Sequence, residues 1–200
     1  MQNLQDVFFL QTNGSGVLSF SSVSSDYVLL ASTDASSSAS VSFDGYYSST
    51  YKNYQIIISY AIPATNATGI RIRFRRSNAD VTSSDYKNAG VVGLVSNTGA
   101  DFGSNGLWSG TYINTDGSNQ SNSTTWGGAS LVVNIYNPLN TASYKKISYT
   151  TAYISNGLET YYSNSGSAIL IDATTALSGI TFYYTSGNIA SGNFKLYGIK

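Results

Sequence analysis

The sequence contains no cysteine, no histidine and a single glutamate, Glu159. Those absences exclude disulfides, thiolate chemistry, imidazole metal sites and every nucleophile that depends on a histidine base. Proline occurs twice, and charge is sparse: ten Lys and Arg balance ten Asp and Glu, 10% of the chain where about a quarter is usual. A chain with zero formal net charge has no field to gather nucleic acid or an anionic membrane surface. Long apolar runs are missing too, and none approaches the ~20 residues that a membrane-spanning helix needs. The start, Met1 to Leu10, has neither the basic stretch nor the cleavage site of a secretory signal. The expectation is a cytoplasmic product with no nucleic-acid partner, no membrane insertion, no metal and no cofactor.

What is present is 42% hydrophobic residues over 200 positions, enough for one domain with a real core. Seventeen Tyr, with abundant Ser, Thr, Asn and Gly and few strong helix formers, suit a pleated surface. Short alternating segments bounded by turn residues recur from end to end, which predicts an all-β sandwich or barrel of about a dozen antiparallel strands. The alternation is clearest at Ile70 to Arg75, where Ile70, Ile72 and Phe74 share one face and Arg71, Arg73 and Arg75 the other. Asn137-Pro138 and Ile62-Pro63 are turn signals, so residues 54–61 and 70–74 are expected to form a hairpin-like pair. Two stretches read as loose, residues 32–40 and the Gly/Ser/Asn-rich residues 99–128, the second with one candidate strand inside it, Leu107 to Tyr112. Residues 1–25 are an N-terminal arm or the first strands, and residues 26–200 the sandwich domain.

A glycosidase would need a pair of carboxyl groups at defined separation. Asp85, Asp101, Asp116, Asp172 and Glu159 are the candidates, and no spacing selects a pair, so the chain reads as a non-enzyme. Asn114 to Asn119 has the clustered oxygens of a Ca²⁺ loop but lacks its closing acidic residue, and reads as an Asp-Gly turn. The cluster Arg71, Arg73, Arg75 and Arg76 is the one local charge excess. It would serve as an anion or interface contact through its guanidinium forks, or as a solvated sheet face. Trp108, Tyr112 and Trp126, in polar loops, are candidate glycan-binding residues because flat amphipathic rings stack on sugars or anchor an interface. The pairs Tyr46-Tyr47, Tyr161-Tyr162 and Tyr183-Tyr184 offer further rings. Val7, Phe8, Phe9 and Leu10 are either a docking arm or the first strand.

Ser36 to Phe43, Tyr51 to Ile58, Pro63 to Asn66 and Ile70 to Phe74, in that order and spacing, and the C-terminal stretch Ser186 to Lys200, resemble virion proteins of tailed phages, marine ones in particular. The resemblance implies a jelly-roll-like β-sandwich on the surface of the virion, at tail or capsid. Its bearer would be a tail-fibre or receptor-binding module touching host surface polysaccharide, or a capsid decoration or fibre-anchoring protein bound to other virion proteins. It also implies a homo-oligomer, a trimer by preference, and no catalytic residues.

Overall fold

The computed structural model describes residues 8–12, 14–22, 25–96, 98–115, 119–156, 160–171 and 175–200, without the side chains of 8, 9, 20–22, 105 and 107–109. Among the described residues there are fifteen strands and no helix: β1 (Phe8–Thr12), β2 (Leu18–Ser22), β3 (Tyr27–Ser38), β4 (Val41–Asp44), β5 (Asn53–Pro63), β6 (Ile70–Arg76), β7 (Ala79–Asp80), β8 (Tyr86–Ser96), β9 (Gly99–Gly110), β10 (Ile113–Asn114), β11 (Ala129–Tyr136), β12 (Lys145–Ile154), β13 (Tyr161–Leu170), β14 (Gly179–Tyr184) and β15 (Ile189–Ile199). The protein is all-β, and every pairing is antiparallel.

Two sheets form the sandwich. The large one has the order β3-β15-β5-β11-β12-β13-β8-β9, and the small one β10-β6-β14-β4 with β7 beside β6. The chain crosses between them at several joints, among them β3/β4, β5/β6, β10/β11 and β14/β15. Those eight strands make two interlocked sets of four, β3-β15-β5-β11 facing β4-β14-β6-β10, which is jelly-roll order. Strands β12, β13, β8 and β9 then widen the large sheet beyond that frame.

Alternation puts one side of each sheet in the core. In β11, Leu131, Val133 and Ile135 are buried, while Ser130, Val132 and Tyr136 are exposed. Opposite them, Ile70, Ile72 and Phe74 of β6 and Ile180, Phe182 and Tyr184 of β14 close the interior. Phe182 of the small sheet meets Phe194 of the large one with ring centroids 5.9 Å apart. Each such buried ring contributes about 1.5–3 kcal/mol. Tyr86 brings a polar atom into this core and satisfies it: its hydroxyl donates to Val81 O at 3.0 Å and accepts from Phe74 N–H at 2.9 Å. Burial pushes its pKa well above the ordinary phenol value, against the lowering effect of that backbone hydrogen bond.

Three expectations change. Residues 54–61 and 70–74 lie in different sheets, so the Pro63 joint is a crossing of the sandwich and not a hairpin. Most of 32–40 belongs to β3, which β15 pairs along nearly its whole length; small side chains such as Ala35 are what fit under that edge. Likewise 99–110 is a continuous strand, because β8 supplies the ladder that the glycine-rich sequence does not favour by itself. Among the described residues, strands β1 and β2 pair only with each other, as a two-stranded sheet apart from the other two.

Candidate functional site

On the outer face of the large sheet, β5 carries one residue too many. Leu131 faces Ile58 and Ala129 faces Ala61, so Ser59 and Tyr60 together oppose Ser130. The ladder to β15 shifts at the same level. This is a β-bulge, a device that bends a strand and re-aims a side chain. Tyr60 absorbs the extra residue with φ 54°, a conformation rare for a bulky side chain and costing of order 1 kcal/mol or more. The ring is thrown outward and is 66% exposed.

Gly127 and Gly128 make room for the bulge. The Tyr60 ring lies against Gly127, where an added Cβ would sit 3.1 Å from it. At Gly128, φ 64°, a Cβ would fall 2.3 Å from Ala61 O, so the two backbones approach too closely for any side chain. Trp126 precedes them in a turn closed by Gly127 N–H donating to Thr124 O at 3.2 Å. Across the sheet, Tyr161 of β13 stands 47% exposed beside Ile154 of β12, its register partner. Behind them, Tyr153 and Tyr162 stack with planes 4° apart, and the Tyr153 hydroxyl donates to Asn119 Oδ1 at 2.9 Å.

Tyr60, Trp126 and Tyr161 rim a concavity of about 170 Å³ floored by Ser130 and Ala152. A second one, of about 260 Å³, shares Ser130 and Ala152 and runs on past Ile57, Ser59, Val132 and Thr150. Together they form one trough along β11, between β5 and β12. Beyond Val132 its line continues into amides and hydroxyls: Gln55 Nε2 donates to Asn134 Oδ1 at 2.9 Å, Asn134 Nδ2 to Ser148 Oγ at 3.2 Å, and the Tyr136 and Ser148 hydroxyls share a hydrogen bond of 2.8 Å. Among the described residues, no charged side chain lines either concavity. Two larger hollows, about 450 Å³ at the Ser48 and Asn137 loops and about 540 Å³ between β8 and β13, offer one aromatic ring, Tyr51, and none. The aromatic trough is therefore the better candidate for a surface ligand.

Of the residues singled out from sequence, Trp126 is in this trough and Tyr112 is not. Tyr112 lies under the Arg71 guanidinium, 5.3 Å from ring centroid to Cζ, on the outer side of the small sheet and so across the sandwich. Trp108 is on β9, the edge strand, with its side chain outside the described residues. Tyr60 carried no sequence signal of its own, since the bulge that exposes it is a property of strand register. Tyr161 was visible as half of a Tyr pair, without any indication of which rings it would join.

The arginine face is occupied from within the chain. The Arg75 Nε donates to Asp44 Oδ2, Nη1 reaches Asp80 Oδ1 at 2.5 Å and Thr181 Oγ1 at 3.0 Å, and Ser178 Oγ donates to Asp44 Oδ1 at 2.8 Å. Burial works to lower the Arg75 pKa, but the hydrogen bonds and charges of Asp44 and Asp80 outweigh it and hold the guanidinium above its ordinary value. Arg73 packs over the Tyr183 ring at 4.7 Å and donates from Nε to Thr111 O at 2.9 Å. Arg71, expected on a solvated face, is 2% exposed and donates from Nη1 to Ile70 O; Tyr112 covers it.

Among the described residues, no three Asp or Glu side chains are grouped to hold a metal ion. Asp116, Glu159 and Asp172 lie outside those residues, as does Val7. The backbones of Phe8 and Phe9 are in β1 but their side chains are outside the description, and Leu10 is 59% exposed. Comparison with protein-family models, with curated proteins and with solved structures gives no match for this chain.

Proposed function

We propose that this chain is a non-enzymatic binding module of a bacteriophage virion, of tail-fibre or receptor-binding type, and that Tyr60, Trp126 and Tyr161 stack on host surface glycan. The observation that carries the glycan reading is an aromatic trio around one concavity, exposed Tyr60 and Tyr161 with half-buried Trp126, in which Tyr60 is placed by a strained bulge that two close-packed glycines accommodate. Such rings offer a large apolar face at little conformational cost, with a hydroxyl or indole N–H at the rim. The virion assignment, with the trimer it brings, rests on the sequence resemblance.

Trp126→Ala and Tyr161→Ala are each expected to weaken glycan binding tenfold or more, since a desolvated aromatic anchor contributes about 2 kcal/mol. Host adsorption falls with it, while particles still assemble and circular dichroism is unchanged. Full adsorption by both variants would remove the trough from the function.

A second reading, capsid decoration or fibre anchoring, is favoured by the β1–β2 hairpin. Among the described residues it pairs with no other strand, and Leu10, Val17 and Leu18 are 59–62% exposed on it. An isolated two-stranded hairpin is marginal in water, so a neighbour that covers it would stabilise it. On this reading, deletion of residues 1–25 strips the protein from particles and leaves glycan binding intact; retention of the truncated chain on particles would rule it out.

A further inference from the structure

We infer that the ligand of the trough is a neutral, linear oligosaccharide of about three rings or more, lying lengthwise along β11. This rests on the glycan reading above and adds the charge class, the length and the direction of the ligand.

The direction follows from the walls. The two concavities share Ser130 and Ala152 and are flanked by β5 on one side and β12 on the other, so the depression runs with the strands and not across them. From Gly128 to Val132 it covers four residue steps, about 14 Å at strand rise, and the amide of Asn134 stands about 7 Å farther along the same strand. One sugar ring fills only the aromatic end.

The chemistry changes along that length. Rings at Tyr60, Trp126 and Tyr161 give way to small and aliphatic groups at Ser130 and Val132, then to the Gln55–Asn134–Ser148 hydrogen-bond chain. That order suits a chain of pyranoses: an apolar ring face on aromatics at one end, equatorial hydroxyls on amides at the other.

Charge class follows from the lining. An acidic sugar laid in a trough whose described residues include no charged side chain would lose hydration of its carboxylate or sulfate with no cation there to replace it. The arginines that suit such groups face the other way, on the small sheet, and are held by Asp44, Asp80, Tyr112 and Tyr183. Lys195 is one strand away, opposite Ile57 on β15, and Lys146 is opposite Tyr136, past the polar end. Both are rim charges, outside the lining.

The test is calorimetric titration of the full chain with cello-, malto- and manno-oligosaccharides of one to six units, and with oligogalacturonates and heparin fragments, at low and high NaCl. For the neutral series that binds, affinity is expected to rise about tenfold from one unit to three and then level off, with little response to salt. Asn134→Ala weakens trisaccharides and longer chains but spares the disaccharide, whereas Tyr161→Ala weakens all lengths. Tighter binding of the acidic series with a steep salt dependence, or equal affinity at every length, would overturn the inference and leave glycan binding standing. Failure of every saccharide, neutral and acidic, to bind the folded chain would remove the glycan reading and this inference together.

Discussion

Replacing Gly128 by alanine tests whether the aromatic site depends on backbone contact between β5 and the turn before β11. The added methyl would sit 2.3 Å from Ala61 O, 2.6 Å from Ala61 C and 2.9 Å from Ile62 Cα, all backbone atoms that no rotamer change can clear. Ala61 must retreat by about an ångström, which disturbs the bulge and costs about 1–3 kcal/mol as overpacking. Forcing a non-glycine residue into positive φ adds about 1 kcal/mol. Gly45 supplies the control: its φ is 76°, and nothing lies within 4 Å of the position its Cβ would take. Gly128→Ala is therefore expected to cost about 3 kcal/mol and Gly45→Ala about 1. With a urea m-value of about 2 kcal/mol/M, the midpoints fall by about 1.5 M and 0.5 M. Urea melts followed by far-UV circular dichroism read both. The tyrosine fluorescence and glycan affinity of folded Gly128→Ala also change, because Tyr60 moves with Ala61. Equal midpoints for the two variants would show that the close approach does not exist and that only φ matters.

Arg75→Ala is expected to lower stability by about 2–3 kcal/mol in the same assay, since it takes from Asp44 its guanidinium partner and leaves Asp80 with Arg73 at 3.9 Å. The Arg75→Ala, Asp80→Asn double variant recovers part of that loss; purely additive costs would refute the network. Stability is expected to be flat from about pH 5 to 8 because no histidine titrates there, and to fall above pH 10. The sign follows from Tyr47 and Tyr86, whose pKa values burial raises above 10.0 in the folded chain. The unfolded chain alone loses those protons, so stability drops by up to about 1.4 kcal/mol per pH unit for each phenol. Lys145, whose pKa is lowered by burial and by Arg76, acts oppositely but only up to its unfolded value of 10.5. Melts that stay level from pH 10.5 to 12 would contradict the burial of these phenols.

Much of the frame was legible. The Ile70 to Arg75 alternation named the buried face of β6 correctly, because a half-buried strand must alternate. Loss of legibility began where partners decide the structure. The glycine-rich residues 99–110 are a strand because β8 pairs them, and residues 54–61 and 70–74 look like a hairpin until the jelly-roll crossing separates them. The site shows the same limit. Trp126 stood out as a ring in a polar loop, but Tyr112 lies across the sandwich and Trp108 belongs to β9, at the far end of the large sheet from β5. Its actual companions come from β5 and β13, brought in by register over about a hundred residues of chain. Tyr60 owes its exposure to a positive φ that no local pattern announces. Arg71 was misjudged for a related reason: the ring that covers it, Tyr112, arrives from forty residues away.

The chain has two tryptophans, Trp108 and Trp126, so its ¹H–¹⁵N correlation spectrum holds two indole signals, one of them in the trough. Titration with a neutral trisaccharide that binds is predicted to move the Trp126 indole and the Ser130 and Val132 amides, and to leave the Trp108 indole and the Arg71 and Arg73 amides in place. Shifts confined to Trp108 or to the arginine face, with Trp126 unmoved, would contradict the account.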